Sequence, residues 1–289
     1  MKVAIIGGSG KMGRWFASFL LKEGRDVIII GRDQKKLLEV KKQLGVEIST
    51  SLQAVKSADV VMISVPIDGF EGVVKQLPPY LNSNQKIIDI TSVKALPVEV
   101  MHKHIKRGTV LGTHPMFGPG AKDIKNQNFV LTPTNEKEMA LAQKVSQYLE
   151  ARGARVSLMS PQEHDEMMAV VLALSHFVAL VSADTLLSLG RLKEMETIGG
   201  STFKLLLTLA KSVLSEDADF YASLQMNLPR AAEVERLFQR TTRAWVDIVK
   251  SKDKQEFVNR MNALKERLGK IDPDFKRAYE NMYRLTENP

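Results

Sequence analysis

Lys2-Val3-Ala4-Ile5-Ile6 runs straight into Gly7-Gly8-Ser9-Gly10-Lys11-Met12-Gly13, after which apolar residues recur at helical spacing to Lys22. Five residues rich in branched apolar side chains form a strand pattern, and a helix pattern follows the glycines. Glycines at such a junction permit a tight turn and let the free N–H groups of a helix start face whatever binds there. The same alternation continues outward along the chain. Further strands are predicted at 26–30, 59–65, 86–90, 109–114, 128–132 and 155–158, with a weak one at 46–48. Helices are predicted at 11–22, 33–44, 51–55, 70–76, 98–106 and 137–151. Strands of Val and Ile without clean alternation belong to a sheet covered on both faces, and their alternation with helices makes parallel β-α-β units. Residues 1–159 therefore read as a doubly wound α/β domain.

The strand signal stops near residue 160. Ser160-Pro161-Gln162-Glu163 is a capping box with Pro at the first helical position, so a long helix starts there and runs to Leu189, where Gly190 ends it. Helices at 202–214, 218–226, 231–250, 254–268 and near 274–284 complete an all-α domain over 160–289. The first of these helices carries no formal charge between residues 167 and 183. It is short for a membrane span and holds Ser175, His176 and Ser182, so it reads as a helix buried by protein. A helix apolar nearly all round must be surrounded, which a second copy of the chain does more completely than the few helices beside it. A homodimer through this domain is expected, with no membrane partner.

The 289 residues have a formal charge of +8, a hydrophobic fraction of 44% and no cysteine. The absence of cysteine excludes disulfides, thiolate metal sites and cysteine nucleophiles. The basic residues are interspersed with acidic ones and no aromatic-interleaved basic motif occurs, so nucleic acid is not an expected partner. A basic enzyme that steers anionic small molecules accounts for the charge. The first strand pattern begins at Lys2 and leaves no room for a signal-peptide pattern, so the protein is expected in the cytoplasm.

Placed on the first strand of a β-α-β series, Gly8, Ser9, Gly10, Lys11, Met12 and Gly13 form a dinucleotide fingerprint of the Rossmann type, with Gly7 offering a second register. The second strand ends in Gly31-Arg32-Asp33. Gly31 stands where enzymes that use NAD carry an acid for the ribose hydroxyls, and Arg32 is suited to a 2′-phosphate, so NADP is favoured over NAD. Asp33 is assigned to capping the next helix. Ser64, Val65 and Pro66 close another strand and are expected beside the nicotinamide half. Ser92, Lys94 and His114 arrive on the same sheet edge, and the turn Pro115-Met116-Phe117-Gly118-Pro119-Gly120 beyond His114 leaves room for a ligand. His114 is the expected base of a nicotinamide-dependent dehydrogenase, because histidine ionises near neutral pH. The five histidines show no metal-binding spacing of the HExxH kind, and no metal is expected.

Asp89-Ile90-Thr91-Ser92-Val93-Lys94, His114-Pro115-Met116-Phe117-Gly118-Pro119, His164-Asp165 and Ser175-His176-Phe177, together with Phe203-Lys204 and Asp217-Ala218-Asp219-Phe220-Tyr221, resemble the prephenate/arogenate dehydrogenases of tyrosine biosynthesis. The resemblance spans both domains. It implies oxidative decarboxylation of prephenate to 4-hydroxyphenylpyruvate. It also implies that His114 takes the proton of the ring hydroxyl, that Ser92 orients the imidazole, and that His176 lines the substrate pocket. Lys94 is expected to attract a carboxylate. The chain departs from the family where arginines are expected near Lys204 and Lys211; these lysines supply charge without the two-pronged geometry. Arogenate dehydrogenation, another NADP-dependent oxidoreductase activity on this architecture, and a non-catalytic NADP-sensing role are the alternatives. His164-Asp165, in the first turn of a helix, is read as favouring the helix dipole through Asp165.

Overall fold

In the computed structural model, which describes residues 1–287, β1 (Lys2–Ile6) lies parallel between β2 (Asp26–Ile30) and β4 (Val60–Ile63), with Ile5 facing Ile29 on one side and Met62 on the other. With β3 (Glu47–Ser49), β5 (Lys86–Asp89), β6 (Thr109–Pro115), β7 (Asn128–Thr132) and β8 (Arg155–Leu158) they form one sheet in the order β3-β2-β1-β4-β5-β6-β7-β8. The order reverses between β1 and β4, and in such sheets the crevice at the carboxyl ends of those two strands receives ligands.

The period of two along each strand divides the core. Ala4, Ile6, Ile28, Ile30, Val61 and Ile63 face one layer, which includes Phe70 and Val74 of α3 (Ile67–Val74) and Val98 and Met101 of α4 (Ala95–His104). Val3, Ile5, Val27, Ile29 and Met62 face the other, with Phe16 and Leu20 of α1 (Lys11–Lys22), Leu37 and Val40 of α2 (Gln34–Leu44) and Leu149 of α5 (Glu136–Glu150). The expected double cover is present.

The parallel expectation fails at one pair. β7 runs antiparallel to β6, with His114 opposite Val130, and β8 follows β7 in parallel. A parallel return needs a crossover, usually a helix, and the connection after Pro115 is made of turns. Helix α4 also begins at Ala95 rather than 98, because its first amides are capped by Asp165, far away in sequence.

The chain divides into two compact units, Met1–Met168 and the residues from Ala169 onward. Helix α6 (Pro161–Met168) packs with the first unit, one short helix beyond the boundary drawn from the sequence at 159/160. In the second unit a π-helical turn, Ala169–Leu174, leads into α7 (Ser175–Ser188). There follow α8 (Leu192–Ile198), which the sequence pattern did not reveal, then α9 (Ser201–Leu214), α10 (Ala218–Asn227), α11 (Ala231–Ser251), α12 (Lys254–Ile271) and α13 (Ala278–Glu287). The helical stretch Pro161–Ser188 is long and apolar enough to cross a membrane and is mostly uncovered by the rest of the chain. Val170, Val171, Val181 and Leu187 are all exposed.

Candidate active site

The turn after β1 resolves which glycine does which task. Gly7 has φ of +77°, and a Cβ there would lie 2.2 Å from the Ser64 carbonyl oxygen, so it makes the turn. Cβ atoms on Gly8 and Gly13 would meet Ile29 at 2.7 Å and the Gly8 Cα at 2.5 Å, so these two let strand and helix pack closely. A Cβ on Gly10 would approach only the Gly7 carbonyl oxygen, at 3.3 Å. Gly10 is the N-cap of α1, with no side chain capping the helix amides and no acid in the first turn. Arg14 Nε donates to the Ser9 carbonyl oxygen at 2.9 Å and steadies the loop. The site is a helix start without a side-chain cap, at the positive end of the helix, which fits a pyrophosphate.

At the end of β2, Asp33 accepts the amides of Lys35 (2.9 Å) and Lys36 (3.1 Å), so its carboxylate is committed to α2. Arg32 is exposed and forms no ion pair among the described residues, and Gly31 lies beside Ser9 of the glycine loop. Ser64 and Val65 follow β4, and Pro66 caps α3.

His114 sits near the end of β6 and is 4% exposed. The turn beyond it is anchored by Phe117, whose ring packs edge-on to Trp15 at 4.8 Å and Phe129 at 5.4 Å, while Trp15 Nε1 donates to the Ala121 carbonyl oxygen at 2.6 Å. His114 Nδ1 is 2.8 Å from His164 Nε2, and His164 Nδ1 is 2.7 Å from Asp165 Oδ1. His164 and Asp165 are buried on α6. His114 Nε2 makes no hydrogen bond among the described residues. Burial, together with nearby His164 and Lys94, holds the His114 imidazole well below the ordinary histidine value. Burial also lowers His164, against the opposing pull of Asp165. Both rings are neutral at pH 7, which is the form a base requires.

The structure redistributes the roles expected around His114. Its orienting contact comes from His164; Ser92 is half-buried and makes no hydrogen bond to it. Lys94, expected to attract a carboxylate, is wholly buried. Its ammonium pairs with Asp89 and donates to the Thr113 carbonyl oxygen at 2.7 Å, so it is spent inside the protein. Desolvation lowers the Lys94 pKa, with Asp89 opposing the shift. Gly112 lets α4 and β7 pack closely on β6: a Cβ there would collide with Thr132 and lie 2.6 Å from Val98 of α4. His164 and Asp165, read from the sequence only as a helix-dipole pair, are the residues whose place behind His114 sequence reasoning missed. Pro161, His164, Asp165 and Met168 are all buried, an i, i+3, i+4, i+7 stripe that puts two polar residues on the inward face of α6.

In the helical unit, the His176 ring packs edge-on to Tyr221 at 4.8 Å, and its Nδ1 is buried without a hydrogen-bond partner. Gln225, one turn beyond Tyr221, donates to the Ala173 carbonyl oxygen of the π turn at 2.9 Å and leaves its own Oε1 unpartnered. Burial lowers the His176 pKa. Lys211 pairs with Glu196, whereas Lys204 is exposed and unpaired among the described residues.

Two family models match the chain. One, described as prephenate dehydrogenase, nucleotide-binding domain, covers residues 16–158; the other, prephenate dehydrogenase, dimerization domain, covers 160–263. A probable arogenate/prephenate dehydrogenase of Methanocaldococcus jannaschii is 34% identical over 273 residues, 93% of this chain but 61% of its own length. The T-protein of Haemophilus influenzae is 26% identical over 278 residues, covering 95% of this chain and 69% of its own. The chain thus spans about three-fifths of the length of the first of these relatives and just over two-thirds of the second. A crystal structure of prephenate dehydrogenase from A. aeolicus in complex with hydroxyphenyl propionate and NAD+ shares the fold, with a TM-score of 0.77 at 24% identity over 94% of this chain and 98% of that one.

Proposed function

The chain belongs to the prephenate dehydrogenase family, and on that premise we propose that it oxidatively decarboxylates prephenate to 4-hydroxyphenylpyruvate as a cytoplasmic homodimer that favours NADP. The observation that carries this reading is the geometry of His114: a neutral imidazole fixed through Nδ1 at a strand end, with Nε2 uncommitted. In the proposed reaction His114 Nε2 takes the proton of the ring hydroxyl. The O–H electron pair becomes the C=O π bond as the C–H bond of the same carbon breaks, its electron pair leaving as hydride. The ring carboxylate then departs as CO2; the pair from the broken C–C bond shifts through the ring, completing the aromatic system and returning the C=O π pair to the oxygen, which takes back the proton held by His114. The nicotinamide, when bound, supplies the hydride acceptor. A positioned base contributes about 10²–10⁴-fold.

Gly8, Ser9, Gly10, Lys11, Met12 and Gly13 hold the pyrophosphate in this reading, and Ser64, Val65 and Pro66 adjoin the nicotinamide. Arg32 supports the choice of NADP, because it is free to pair with a 2′-phosphate while Asp33 is occupied at α2. Ser92 contacts the ring hydroxyl. In the helical unit His176 and Lys204 are the assigned substrate contacts, with Lys211 bound to Glu196 and so less available. Arogenate carries the same ring and suits the same base, which makes it the second substrate to assay. The uncovered apolar residues of α7 and the preceding π turn support the homodimer.

The test is the rise in near-ultraviolet absorbance of reduced nicotinamide with prephenate or arogenate, each against NADP and NAD. Wild type should show substrate-dependent reduction, and His114→Asn should lower kcat by about 10²-fold or more while cofactor still binds. Equal inertness of both proteins with intact NADP binding would favour the sensing role.

A further inference from the structure

The proposed reaction needs a lone pair on His114 Nε2, yet a free imidazole does not decide which of its nitrogens carries the proton. The chain of contacts behind His114 decides it. A carboxylate only accepts hydrogen bonds. Asp165 Oδ1 lies 2.7 Å from His164 Nδ1, so that nitrogen is the donor. A neutral imidazole protonated at Nδ1 carries its lone pair on Nε2, so His164 Nε2 accepts. Its partner at 2.8 Å is His114 Nδ1, which therefore donates. The His114 lone pair is left on Nε2.

Asp165 is itself held in place. Oδ1 also accepts the Lys94 amide at 2.7 Å and Oδ2 accepts the Ala95 amide at 2.9 Å, so the start of α4 grips the carboxylate from the other side. His164 is 0% and Asp165 2% exposed, and no water competes for these bonds. A carboxylate buried between an imidazole and a helix N-terminus is more than a helix-dipole contact.

We propose that Asp165 and His164 act as a relay of positioning residues that places the His114 proton on Nδ1 and keeps Nε2 free to act as the base. The relay rests on the proposed function only for its catalytic consequence; the tautomer is a property of the protein alone. Asp165→Asn can turn its amide N–H toward His164 Nδ1, giving up the bond from the Lys94 amide, and in that orientation each donor in the chain reverses and the His114 proton moves to Nε2. Wrong-tautomer substitutions behind a catalytic histidine cost up to about 10⁴-fold in kcat.

The experiment is nitrogen NMR on histidine-labelled protein, with the His114 signals assigned by their loss in His114→Asn. The expected wild-type pattern is a protonated Nδ1 and an unprotonated Nε2 at His114. Asp165→Asn should shift that pattern toward a protonated Nε2 and lower kcat, by up to about 10⁴-fold, at unchanged cofactor affinity. His164→Leu should lower kcat similarly, whereas His164→Gln, which keeps an acceptor for the His114 Nδ1–H, should recover most of it. If Asp165→Asn fails to fold, the wild-type pattern and the Leu/Gln pair decide the matter. A wild-type His114 protonated on Nε2, or a folded His164→Leu with wild-type kcat, overturns the relay even if prephenate is turned over. The expected pattern without turnover of either substrate keeps the relay and overturns the function.

Discussion

In the first unit Asp89, Lys94, His114, His164 and Asp165 are sealed from water and joined to one another, with Asp89 Oδ2 and His114 Nε2 left over. The helical unit is arranged the other way. It exposes Val170, Val171, Val181, Leu187 and Ile198 and leaves His176 Nδ1 and Gln225 Oε1 buried without partners. Buried polar atoms in native proteins are nearly always paired, and monomers rarely present broad apolar surface. Both units hold buried polar atoms without partners, Arg25 Nε and Asp89 Oδ2 in the first and two in the second; the difference lies in the apolar surface of the second unit, which the proposed homodimer would cover.

The sharpest way to break this contrast is to charge the apolar surface. An unpaired charge buried at an interface costs about 3–5 kcal/mol, so Val181→Glu should weaken self-association by roughly 10²–10⁴-fold. Sedimentation should show a wild-type dimer and a monomeric variant; a wild type monomeric at micromolar concentration removes the contrast. A second test touches the open side of the first unit. Arg32→Glu replaces a partner of the 2′-phosphate with a repelling charge and should reverse the ratio of NADP to NAD affinity, by about tenfold or more. Tighter NAD binding by wild type would refute the preference.

The smallest effect concerns the histidines that burial keeps neutral. His114, His164 and His176 all titrate below the ordinary value in the folded protein. As pH falls through about 6.5 the unfolded chain takes up protons that the folded chain refuses, so stability declines below that pH and is flat above it. Urea unfolding should show a lower midpoint at about pH 5.5 than at 7.5, with the difference reduced in His164→Gln. The acid limb of kcat/KM should likewise lie below the ordinary histidine value. An acid limb at that value would place the base in water.

What was legible in the sequence follows from the range of the forces involved. Gly7 to Gly13 and the Val/Ile strands act locally, so the glycine loop, all eight strands (β3 from a weak signal) and the position of His114 could be placed from their neighbours. The antiparallel β7 was also encoded locally, in the helix-free connection after Pro115. The roles around His114 were not. Asp89 and Lys94 are five residues apart, but only burial turns them into a pair that no ligand can reach. His164 is fifty residues from His114 and reaches it because α6 packs against α4 and the end of the sheet. Its signal was a polar pair on a helical stripe whose other members are apolar.

β6 pairs with β5 over Thr109–Gly112 and with β7 over Gly112–Pro115, so His114 is held inside the sheet by its β7 edge, opposite Val130. The paired amides can exchange with solvent only when the sheet opens, which puts His114 in the part of the chain that should be last to exchange. Fraying at the surface leaves such a group where it is. Heat or denaturant should therefore leave the imidazole in register until the sheet itself gives way, so that loss of the catalytic geometry and cooperative unfolding of the first unit are one event on the same curve.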